Sequence, residues 1–396
     1  MPSSKSESNR LLIMNALSSD KITIKNLSSA RDTQTLIKLL KTESDLNIFN
    51  VLDAGTAMRF LTAYFAVSTK KDIILTGTDR MQNRPIGTLV DALNSIGAII
   101  SYENVEGYPP LRIKAFKKQI SSKISIPGNI SSQYISALLM VAPSLPMGLE
   151  IKIEPPVFSK PYIDMTLGLM QISGIRYTQK DNLIKIPHQK YQESKQTVES
   201  DWSASSYWFS IIAQSEIGKE VFLKGLKSES FQGDQVIKDI AKEFGVIFQF
   251  RKDGVLLRKA EFPTKKQLKL DFKKCPDLAQ TVLPCAAALR IDLEMKGLES
   301  LRIKETDRIL ALQNELSKFN CHLIEPNKGV WKLENANFSS HNEIIIETYE
   351  DHRMAMGFAP LAINQDIKIN DIDVVNKSYP TFWEDLKSFG FDILEE

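Results

Sequence analysis

The stretch KSESNRLLIMNAL, Lys5–Leu17, carries the pattern that decides the fold. Ser6 and Ser8 are residue types that cap helices, and Lys5 and Arg10 place positive charge beside them. An almost wholly apolar run follows to the end of the stretch. Because a helix start offers unpaired backbone N–H groups and the positive end of a dipole, the pattern predicts a buried helix with an anion-binding first turn. Taken alone, however, it fits an ordinary capped core helix better.

Five further apolar helices open in the same way, with a small or acidic polar residue. The six polar openings are Ser6, Thr56, Ser131, Ser203, Asp277 and Asp351. The first two lie about 50 residues apart, and the later ones follow at intervals of about 72–75 residues. Each helix is apolar nearly all round, which indicates burial. Near-constant spacing over six helices predicts an internal repeat of about 70–75 residues.

A second set of helices, amphipathic this time, alternates with the first. The set begins with a short member near Thr33–Leu40, and the later members end at Gly97, Gly174, Gly245, Asn320 and Gly390, residue types that accept the left-handed backbone of a helix C-terminus. The strand-like runs AIISYE, IRYTQ, VIFQF, HLIE and FDIL follow these ends. Turn residues at 252–254 and 327–329 then predict hairpins.

The repeat therefore reads strand, buried helix, strand, amphipathic helix, hairpin. Six such repeats in 396 residues, 43% of them apolar, exceed one ordinary core and predict an α/β fold in two domains of three repeats each. We expect the boundary near Gln196–Ser200. The expected domains are residues 5–199 and residues 200–396, the latter together with residues 1–4.

Composition excludes several classes of protein. The balance of 50 Lys and Arg against 48 Asp and Glu argues against a nucleic-acid-binding protein. No apolar run reaches about 18 residues and no signal peptide is visible, so we expect a cytoplasmic protein without a membrane partner. Cys275, Cys285 and Cys321 have no metal-ligand spacing and predict buried free thiols in a reducing compartment.

Cations gather at the helix starts and in the loops before the amphipathic helices. They are Lys5, Arg10, Arg84, Lys304, Arg308, Arg353 and Lys377. If equivalent ends of all repeats face one cleft, these residues suit small molecules that carry phosphate and carboxylate groups. The motifs taken singly also have structural explanations. RIKETDR could be a solvated helix start, Asp277 a helix cap, His352–Arg353 a structural pair and Tyr162 a packing residue. Their joint appearance at corresponding positions favours a site.

Ten segments then carry a family resemblance. In order from Lys5 to about Phe382 they are KSESNR, AGTAMR, RMQNRPIG, SSQYISALLM, SKPYID, DWSASSY, PDLAQT, RIKETDRI, DHRMAM and KSYP. The chain resembles the 5-enolpyruvylshikimate-3-phosphate synthase family of enolpyruvyl transferases. The resemblance implies two domains, each of three βαβαββ-type repeats (an inverted α/β barrel), with the active site in the cleft between them.

The resemblance also implies an activity and a set of site residues. The enolpyruvyl group of phosphoenolpyruvate would move to the 5-hydroxyl of shikimate 3-phosphate through a tetrahedral intermediate, with release of phosphate. Asp277 would be the base, and Glu305, helped by Lys5, would protonate the methylene carbon. Shikimate 3-phosphate would be held by Lys5, Ser6, Arg10, Ser131, Ser132, Gln133, Ser159, Tyr162, Asp277, Ser300 and Lys304. Phosphoenolpyruvate would be held by Lys5, Gly55, Arg84, Gln133, Arg308, Arg353 and Lys377. No metal or cofactor is expected, and the protein would work as a monomer.

The chain departs from the family pattern in several places. Asp53 stands where the family has Asn, Phe60 where it has Pro, and Ser300 where it has Asn, while Ser378 and Tyr379 replace Thr and Phe. The first two flank the phosphoenolpyruvate pocket and leave its response to glyphosate-like inhibitors open. In the family a strand precedes the Lys-Ser segment, whereas four residues precede it here. We therefore expect a loosely held Lys5 and a second domain one strand short, or a true start upstream.

Two related kinds of protein fit these residues less well. The sister transferase that acts on UDP-N-acetylglucosamine carries a catalytic Cys in a loop that here reads GTDRMQNRPIG, without Cys. A non-catalytic anion-binding homologue would have lost Asp277, Glu305 or Lys5, and all three are present.

Overall fold

Backbone contacts divide the chain in two. The computed structural model describes residues 1–19, 21–42, 47–335, 338 and 343–394. The N-terminal domain is Ser3–Val198, and the C-terminal domain is Glu199–Glu396 together with Met1–Pro2. Each domain has its own hydrophobic core.

The N-terminal domain opens with a short repeat and continues with two full ones. The first repeat contains α1 (Lys5–Leu17), β1 (Ile22–Lys25) and α2 (Arg31–Leu40). The second contains β2 (Ile48–Asn50), α3 (Gly55–Ser68), β3 (Ile73–Thr76), α4 (Asp79–Gln82), α5 (Gly87–Ser95), β4 (Ile100–Tyr102) and β5 (Leu111–Ile113). The third contains β6 (Lys123–Pro127), α6 (Ser132–Val141), a 3-10 helix (Ala142–Ser144), β7 (Leu149–Glu154), α7 (Lys160–Ile172), β8 (Thr178–Lys180) and β9 (Leu183–Ile186). A last strand, β10 (Ser194–Thr197), pairs in parallel with β1.

The C-terminal domain repeats the pattern. Its first repeat contains α8 (Trp202–Gln214), β11 (Glu220–Lys224), a 3-10 helix (Gly233–Val236), α9 (Ile237–Lys242), β12 (Val246–Arg251) and β13 (Gly254–Lys259). The next contains β14 (Gln267–Asp271), a 3-10 helix (Pro276–Leu278), α10 (Ala279–Ala288), β15 (Asp292–Lys296), a 3-10 helix (Glu299–Ile303), α11 (Arg308–Ser317), β16 (Cys321–Asn327) and β17 (Val330–Asn335). The last contains β18 (Ile344–Ile346), α12 (His352–Phe358), a 3-10 helix (Ala359–Ile363), β19 (Ile367–Ile369), a 3-10 helix (Ile372–Lys377) and α13 (Phe382–Phe389).

The sheets show the repeat most directly. Three four-stranded sheets have the same order: β2-β3-β5-β4, β6-β7-β9-β8 and β14-β15-β17-β16. In each, the first two strands are parallel and the last two form an antiparallel hairpin. The sheet β11-β13-β12 has this order without its first strand, and β18 pairs in parallel with β19. The buried helix of each full repeat is thus the crossover between two parallel strands.

The apolar helices lie at the centre of each domain. In the N-terminal domain α1, α3 and α6 contact one another, and in the C-terminal domain α10 contacts both α8 and α12. Residues along these helices are almost all buried, as in α6 and α8. The α/β class predicted from the sequence is confirmed, and these helices supply much of the core of each domain.

The helix ends predicted from glycine and asparagine are confirmed. Gly97, Gly174, Gly245, Asn320 and Gly390 all have positive φ, between 57° and 116°, as the left-handed C-terminus requires. Both predicted hairpins form, between β12 and β13 and between β16 and β17.

Two local predictions were wrong. The cap of α1 is Ser4, whose Oγ accepts from the backbone N–H of Glu7, whereas Ser6 lies within the first turn and Ser8 Oγ accepts from Ser28 N. The run FDIL, residues 391–394, is not a strand. A strand needs a neighbour for its backbone groups, and FDIL pairs with none of the described strands.

The three cysteines are free and buried, as the sequence predicts. Burial raises the pKa of the Cys285 thiol to about 12, so the thiol stays protonated. Within the described ranges, no helix combines the length and apolar character needed to cross a membrane.

Candidate active site

In the C-terminal domain, the start of α10 presents a carboxylate to a group of cations. Pro276 opens a 3-10 turn that leads into the helix, and Asp277 is its second residue. Asp277 Oδ1 lies 2.9 Å from Arg308 Nη1 and 3.4 Å from Lys304 Nζ. Asp277 Oδ2 lies 3.4 Å from Arg353 Nη2. Lys304 and Arg308 of the RIKETDRI motif and Arg353 of the DHRMAM motif therefore meet at one carboxylate.

The electrostatics of Asp277 follow from these contacts. Burial alone would raise the pKa of its carboxyl group. The attraction of Lys304, Arg353 and Arg308 outweighs burial and the repulsion by Glu305, and holds the pKa of Asp277 far below its usual range. Asp277 is therefore ionised and strongly stabilised as a carboxylate.

Arg308 is the centre of this cluster. It is the first residue of α11, capped by Asp307, whose Oδ1 accepts from the N–H groups of Ile309 and Leu310. Its side chain is 2% exposed. Nη2 donates to Glu305 Oε2 at 2.8 Å, and Nε donates to Asp351 Oδ2 at 2.7 Å. One guanidinium thus holds both residues predicted to move protons, Asp277 and Glu305.

Asp351 fixes the third side of the cluster. It caps α12 by accepting from the backbone N–H of Arg353 at 2.9 Å, and it is fully buried. The two residues before it, Tyr349 and Glu350, both have φ of 53°, a left-handed conformation that costs non-glycine residues free energy. The Tyr349 hydroxyl donates to buried Glu315 Oε1 at 2.8 Å, which ties this bend to α11. The strained bend sets the start of α12 beside Asp277.

Asp234 belongs to the same cluster and was not singled out in the sequence. Its side chain is 3% exposed and accepts a short hydrogen bond from Ser203 Oγ in the first turn of α8. Burial and the neighbouring carboxylate of Asp277 raise the pKa of Asp234 to about 6, although Arg353 opposes the shift. The segment FQGD offered no charge pattern that would have marked it.

Lys5, at the start of α1 in the N-terminal domain, makes an ion pair that the sequence did not predict. Its Nζ lies 3.1 Å from Asp32 Oδ2 in α2, and the Asp32 side chain is 4% exposed. The other oxygen, Oδ1, is buried without a hydrogen bond. Asp32 follows Arg31 and reads as an ordinary first-turn acid, so only the packing of α2 against α1 identifies it.

Arg10 lies one to two turns further along α1 and is almost wholly engaged by the protein. Its Nε donates to Thr166 Oγ1 at 2.7 Å, Nη1 to the carbonyl of Ser6 at 2.9 Å, and Nη2 to Ser136 Oγ at 3.1 Å. Phe60, which replaces the family's Pro, lies under its guanidinium at 5.4 Å. Burial lowers the pKa of Arg10 to about 10, which still leaves it charged at neutral pH. Its predicted contact with shikimate 3-phosphate stays a prediction.

The start of α3 is crowded by two guanidinium groups. A Cβ added to Gly55 would lie 2.5 Å from Arg84 Nη1 and 3.2 Å from Arg59 Nη1. Arg59 donates to the carbonyls of Gly55 and Pro85, at 3.2 and 3.0 Å, and so holds the Arg84 loop against the helix. Glycine at this position lets two guanidinium groups approach the backbone closely. The helix N-terminus and both arginines make this end of α3 strongly positive.

Around it, Gln133 Nε2 donates to Thr56 Oγ1 at 3.2 Å and links α6 to α3. Asp53, one of the residues that differ from the family pattern, pairs with Arg31 at 2.8 Å on the surface. Its negative charge therefore has a partner of its own beside the positive helix start.

The remaining predicted residues of the N-terminal domain lie at helix starts. Ser131 caps α6 by accepting from Gln133 N at 3.3 Å, and Ser132 is buried behind it. Ser159 precedes α7 with φ of 53°, and Tyr162 in the first turn of α7 lies 5.8 Å from the Arg10 guanidinium. α1 contacts α3, α6 and α7, and α3 contacts α6. Gln133 of α6 contacts Thr56 of α3, and Arg10 of α1 donates to the carbonyl of Tyr162 in α7, so the N-terminal turns of these helices lie together within the domain.

Three further positions of the C-terminal domain are Lys377, Ser300 and Tyr379. Lys377 ends a 3-10 helix and is 3% exposed. Ser300 lies half-buried in the 3-10 helix Glu299–Ile303. The hydroxyl of Tyr379, which the family's Phe lacks, donates to Asp385 Oδ2 at 2.7 Å and accepts from Trp208 Nε1 at 3.2 Å. This extra polar group is satisfied inside the core, so the substitution leaves no buried polar atom unpaired.

The chain also matches known proteins over nearly its whole length. The family model described as EPSP synthase (3-phosphoshikimate 1-carboxyvinyltransferase) matches residues 41–386. The 3-phosphoshikimate 1-carboxyvinyltransferase of Bacteroides fragilis is 44% identical over 395 residues, which cover 99% of this chain and 95% of that protein. The protein of the same name from Pasteurella multocida is 34% identical over 418 aligned positions, covering 97% and 93%.

Solved structures show the same fold. A structure of EPSP synthase from Acinetobacter baumannii matches with a TM-score of 0.77 at 19% identity, covering 98% of this chain and 94% of that one.

Proposed function

The chain belongs to the EPSP synthase family, and we propose that it transfers the enolpyruvyl (1-carboxyvinyl) group of phosphoenolpyruvate to the 5-hydroxyl of shikimate 3-phosphate. The products are 5-enolpyruvylshikimate 3-phosphate and phosphate. The observation that carries the proposal is the cluster at Arg308, in which the proposed base Asp277 and the proposed acid Glu305 lie beside cations that the family pattern also singles out. A neutral alcohol as nucleophile needs such a base, and two anionic reactants need such cations.

Asp277 is the proposed base for the attacking hydroxyl. As the oxygen bonds to C2 of phosphoenolpyruvate, its proton passes to Asp277. Glu305 carries a proton at this stage and, helped by Lys5, gives it to the methylene carbon, which becomes a methyl group in the tetrahedral intermediate. Glu305 then takes a proton back from that methyl group as the C–O bond to phosphate breaks, and the proton on Asp277 leaves with the products. The two carboxylates flank one guanidinium in the structure, so both are held in position before substrate binds.

The helix starts of the N-terminal domain are the proposed binding surface for shikimate 3-phosphate. Lys5, Ser6 and Arg10 supply charge and hydroxyl groups from α1. Ser131, Ser132, Gln133, Ser159 and Tyr162 do so from α6 and α7, and Asp277, Ser300 and Lys304 are the proposed contributions of the C-terminal domain. Helix N-termini with hydroxyl side chains bind phosphate through backbone and side-chain donors.

Phosphoenolpyruvate is the proposed ligand of a second set of residues, most of them cations, which shares Lys5 and Gln133 with the first. Arg84 and the backbone at Gly55 are supported by their close approach, and Arg308 and Arg353 by their shared position beside Asp277. Lys5, Gln133 and Lys377 complete the proposed set. Fixed cations would stabilise the carboxylate and phosphate of the tetrahedral intermediate without reorganising as it forms.

We also propose that the protein acts as a cytoplasmic monomer. Three buried free thiols agree with a reducing compartment. Analytical ultracentrifugation at micromolar concentration tests the oligomeric state, and a dimeric sedimentation coefficient would contradict it.

One assay tests the activity. Purified protein is mixed with shikimate 3-phosphate and phosphoenolpyruvate, and inorganic phosphate is followed together with the enolpyruvyl product. Release of phosphate that needs both substrates is the expected result. If both substrates bind and no phosphate appears above background, the chain is an anion-binding homologue and the enzymatic proposal is wrong.

A further inference from the structure

Arg308 is shared among three carboxylates in a way that bears on how the reaction starts. Its guanidinium has five N–H groups, and at least four of them are in use. Nε and Nη2 hold Asp351 at 2.7 and 3.4 Å, Nη2 also holds Glu305 at 2.8 Å, and Nη1 holds Asp277 at 2.9 Å. An incoming anion therefore cannot make a two-point contact with Arg308 unless a carboxylate gives way.

The three carboxylates differ in how firmly they are held. Asp351 is completely buried, binds two nitrogens of Arg308 and also caps α12. Asp277 and Glu305 each accept one hydrogen bond from Arg308, and their side chains are 12% and 17% exposed. Asp351 is thus the permanent anchor of Arg308, and Asp277 and Glu305 are the partners that a substrate reaches first.

This arrangement creates a conflict that the proposed function must resolve, and the inference rests on that function. Arg308 and Arg353 are proposed to bind phosphoenolpyruvate, yet both contact Asp277, the proposed base. A carboxylate held by three cations has little affinity for a proton. The same cations cannot pair fully with the substrate and at the same time keep the proton affinity of Asp277 low.

We propose that the anionic enolpyruvyl donor activates its own base. Its carboxylate and phosphate draw Arg353, and the Nη1 and Nη2 groups of Arg308, away from Asp277 and Glu305. Both carboxylates then bind a proton more strongly. Until the donor is bound, the cations are neutralised by the protein's own acids, and the hydroxyl of shikimate 3-phosphate meets a carboxylate too weakly basic to deprotonate it. The base is therefore available only when there is a carbon for the alkoxide to attack.

The charges that face Asp277 support a rise in its proton affinity when the donor binds. Lys304, Glu305 and Arg308 face it from the loop before α11 and from α11 itself, Arg353 from α12, and Asp234 from the 3-10 helix before α9. The cations dominate and hold the pKa of Asp277 far below its usual range in spite of burial. An added anion both competes for the cations and repels the carboxylate, so every contribution of the donor acts in the same direction.

The test follows the carboxyl carbon of Asp277 directly. Full-length protein is labelled with [4-13C]aspartate, and the Asp277 signal is identified by its loss in Asp277→Asn. Its chemical shift is then followed against pH for the protein alone, with shikimate 3-phosphate, and with shikimate 3-phosphate plus phospholactate, a saturated analogue of the donor that cannot react. Exposed Asp271 is an internal control.

Without phospholactate, the Asp277 signal should remain that of an ionised carboxylate down to the lowest pH at which the protein stays folded. With phospholactate, protonation should begin at a pH higher by ~1 unit or more, the effect expected for removing an opposite charge at contact distance. Arg353→Gln should produce part of this rise without any ligand and reduce the further rise on binding. The Asp271 signal should not change when phospholactate is added.

An Asp277 signal that titrates identically with and without phospholactate, while 31P NMR shows the analogue bound, would overturn the inference. That result would leave phosphate release from the true substrates intact, so it differs from failure of the proposed function. An equal rise with shikimate 3-phosphate alone would also overturn it, because the trigger would then be the acceptor.

Discussion

Arg308 Nη1 lies 2.9 Å from Asp277 Oδ1, so a cation proposed to bind substrate is also the partner of the proposed base. The two residues are 31 positions apart in sequence and are joined at the buried centre of the C-terminal domain. The contact explains how a buried carboxylate can remain ionised in that position. It also means that substitutions at either residue change the other.

Replacing Asp277 by asparagine should lower kcat by about 10²–10⁴-fold, the usual contribution of a positioned base. The amide keeps the size of the side chain and cannot take a proton. The affinity for shikimate 3-phosphate, measured by calorimetry, should change little. Asp271→Asn at the exposed end of β14 is the matched control and should retain normal kcat. Normal turnover in Asp277→Asn would remove Asp277 from the role of base.

Replacing Arg353 by alanine should weaken phosphoenolpyruvate far more than shikimate 3-phosphate. A charged hydrogen bond that is lost costs about 1.5–3 kcal/mol, which corresponds to a rise of about 10–100-fold in the KM for phosphoenolpyruvate. Arg258→Ala, which removes an arginine that is 54% exposed in the same domain, is the control. An equal loss of affinity for both substrates would contradict the assignment.

Replacing Asp32 by asparagine should impair catalysis through Lys5, because the ion pair at 3.1 Å holds the ammonium group in place. We expect kcat to fall by about 10–100-fold, the cost of misplacing a reacting group by about 1 Å. Circular dichroism and thermal melting check that the fold is retained. If Lys5→Met abolishes turnover but Asp32→Asn does not lower it, Lys5 is positioned by other contacts.

Replacing Gly55 by alanine should selectively weaken phosphoenolpyruvate. The added carbon would meet Arg84 Nη1 at 2.5 Å, and because that group is the end of a flexible side chain, Arg84 moves and the domain still folds. Gly218→Ala is the control, since its added carbon would meet nothing within 4 Å, although its φ of +93° makes any side chain costly there. Steady-state KM values for both substrates distinguish the two variants. An unchanged KM for phosphoenolpyruvate would show that Arg84 and Gly55 do not bind it.

Asp234 should make the protein less stable as pH rises between about 4 and about 6. The pKa of its carboxyl group is about 6 in the folded chain, above the ordinary value of 3.8, so the folded state binds more protons in that window. Stability from this group is present below the ordinary pKa and is lost as pH passes the folded one. Asp234→Asn, which cannot ionise, should remove a penalty on the order of 3 kcal/mol at neutral pH.

Urea unfolding at pH 4.5 and pH 7 measures this prediction. The variant should gain stability relative to the native sequence at pH 7 and little at pH 4.5. Equal differences at the two pH values would mean that Asp234 is ionised throughout or is compensated by Arg353.

Much of the fold could be predicted from local patterns. Six apolar helices, five left-handed helix ends and two hairpin turns could be predicted because each depends on residues within the segment itself. Gly390 shows why: its φ of 116° is a requirement of that one position, and glycine meets it wherever the rest of the chain lies. The failures also have a local cause. Ser6 and Ser4 are equally good caps in sequence, and FDIL has strand composition but no strand beside it.

The candidate site also combines features that sequence determines with features that depend on tertiary packing. The sequence by itself determined which ionisable groups the chain carries, and the order of the motifs determined their family. It could not determine their partners, because an ion pair depends on where distant segments pack. Only the tertiary structure joined Arg308 to Asp351 across 43 residues, Lys5 to Asp32 across 27, and Ser203 to Asp234 across 31. Chemical identity is a property of the residue, whereas charge state and availability are set by burial and by the neighbours that the fold supplies.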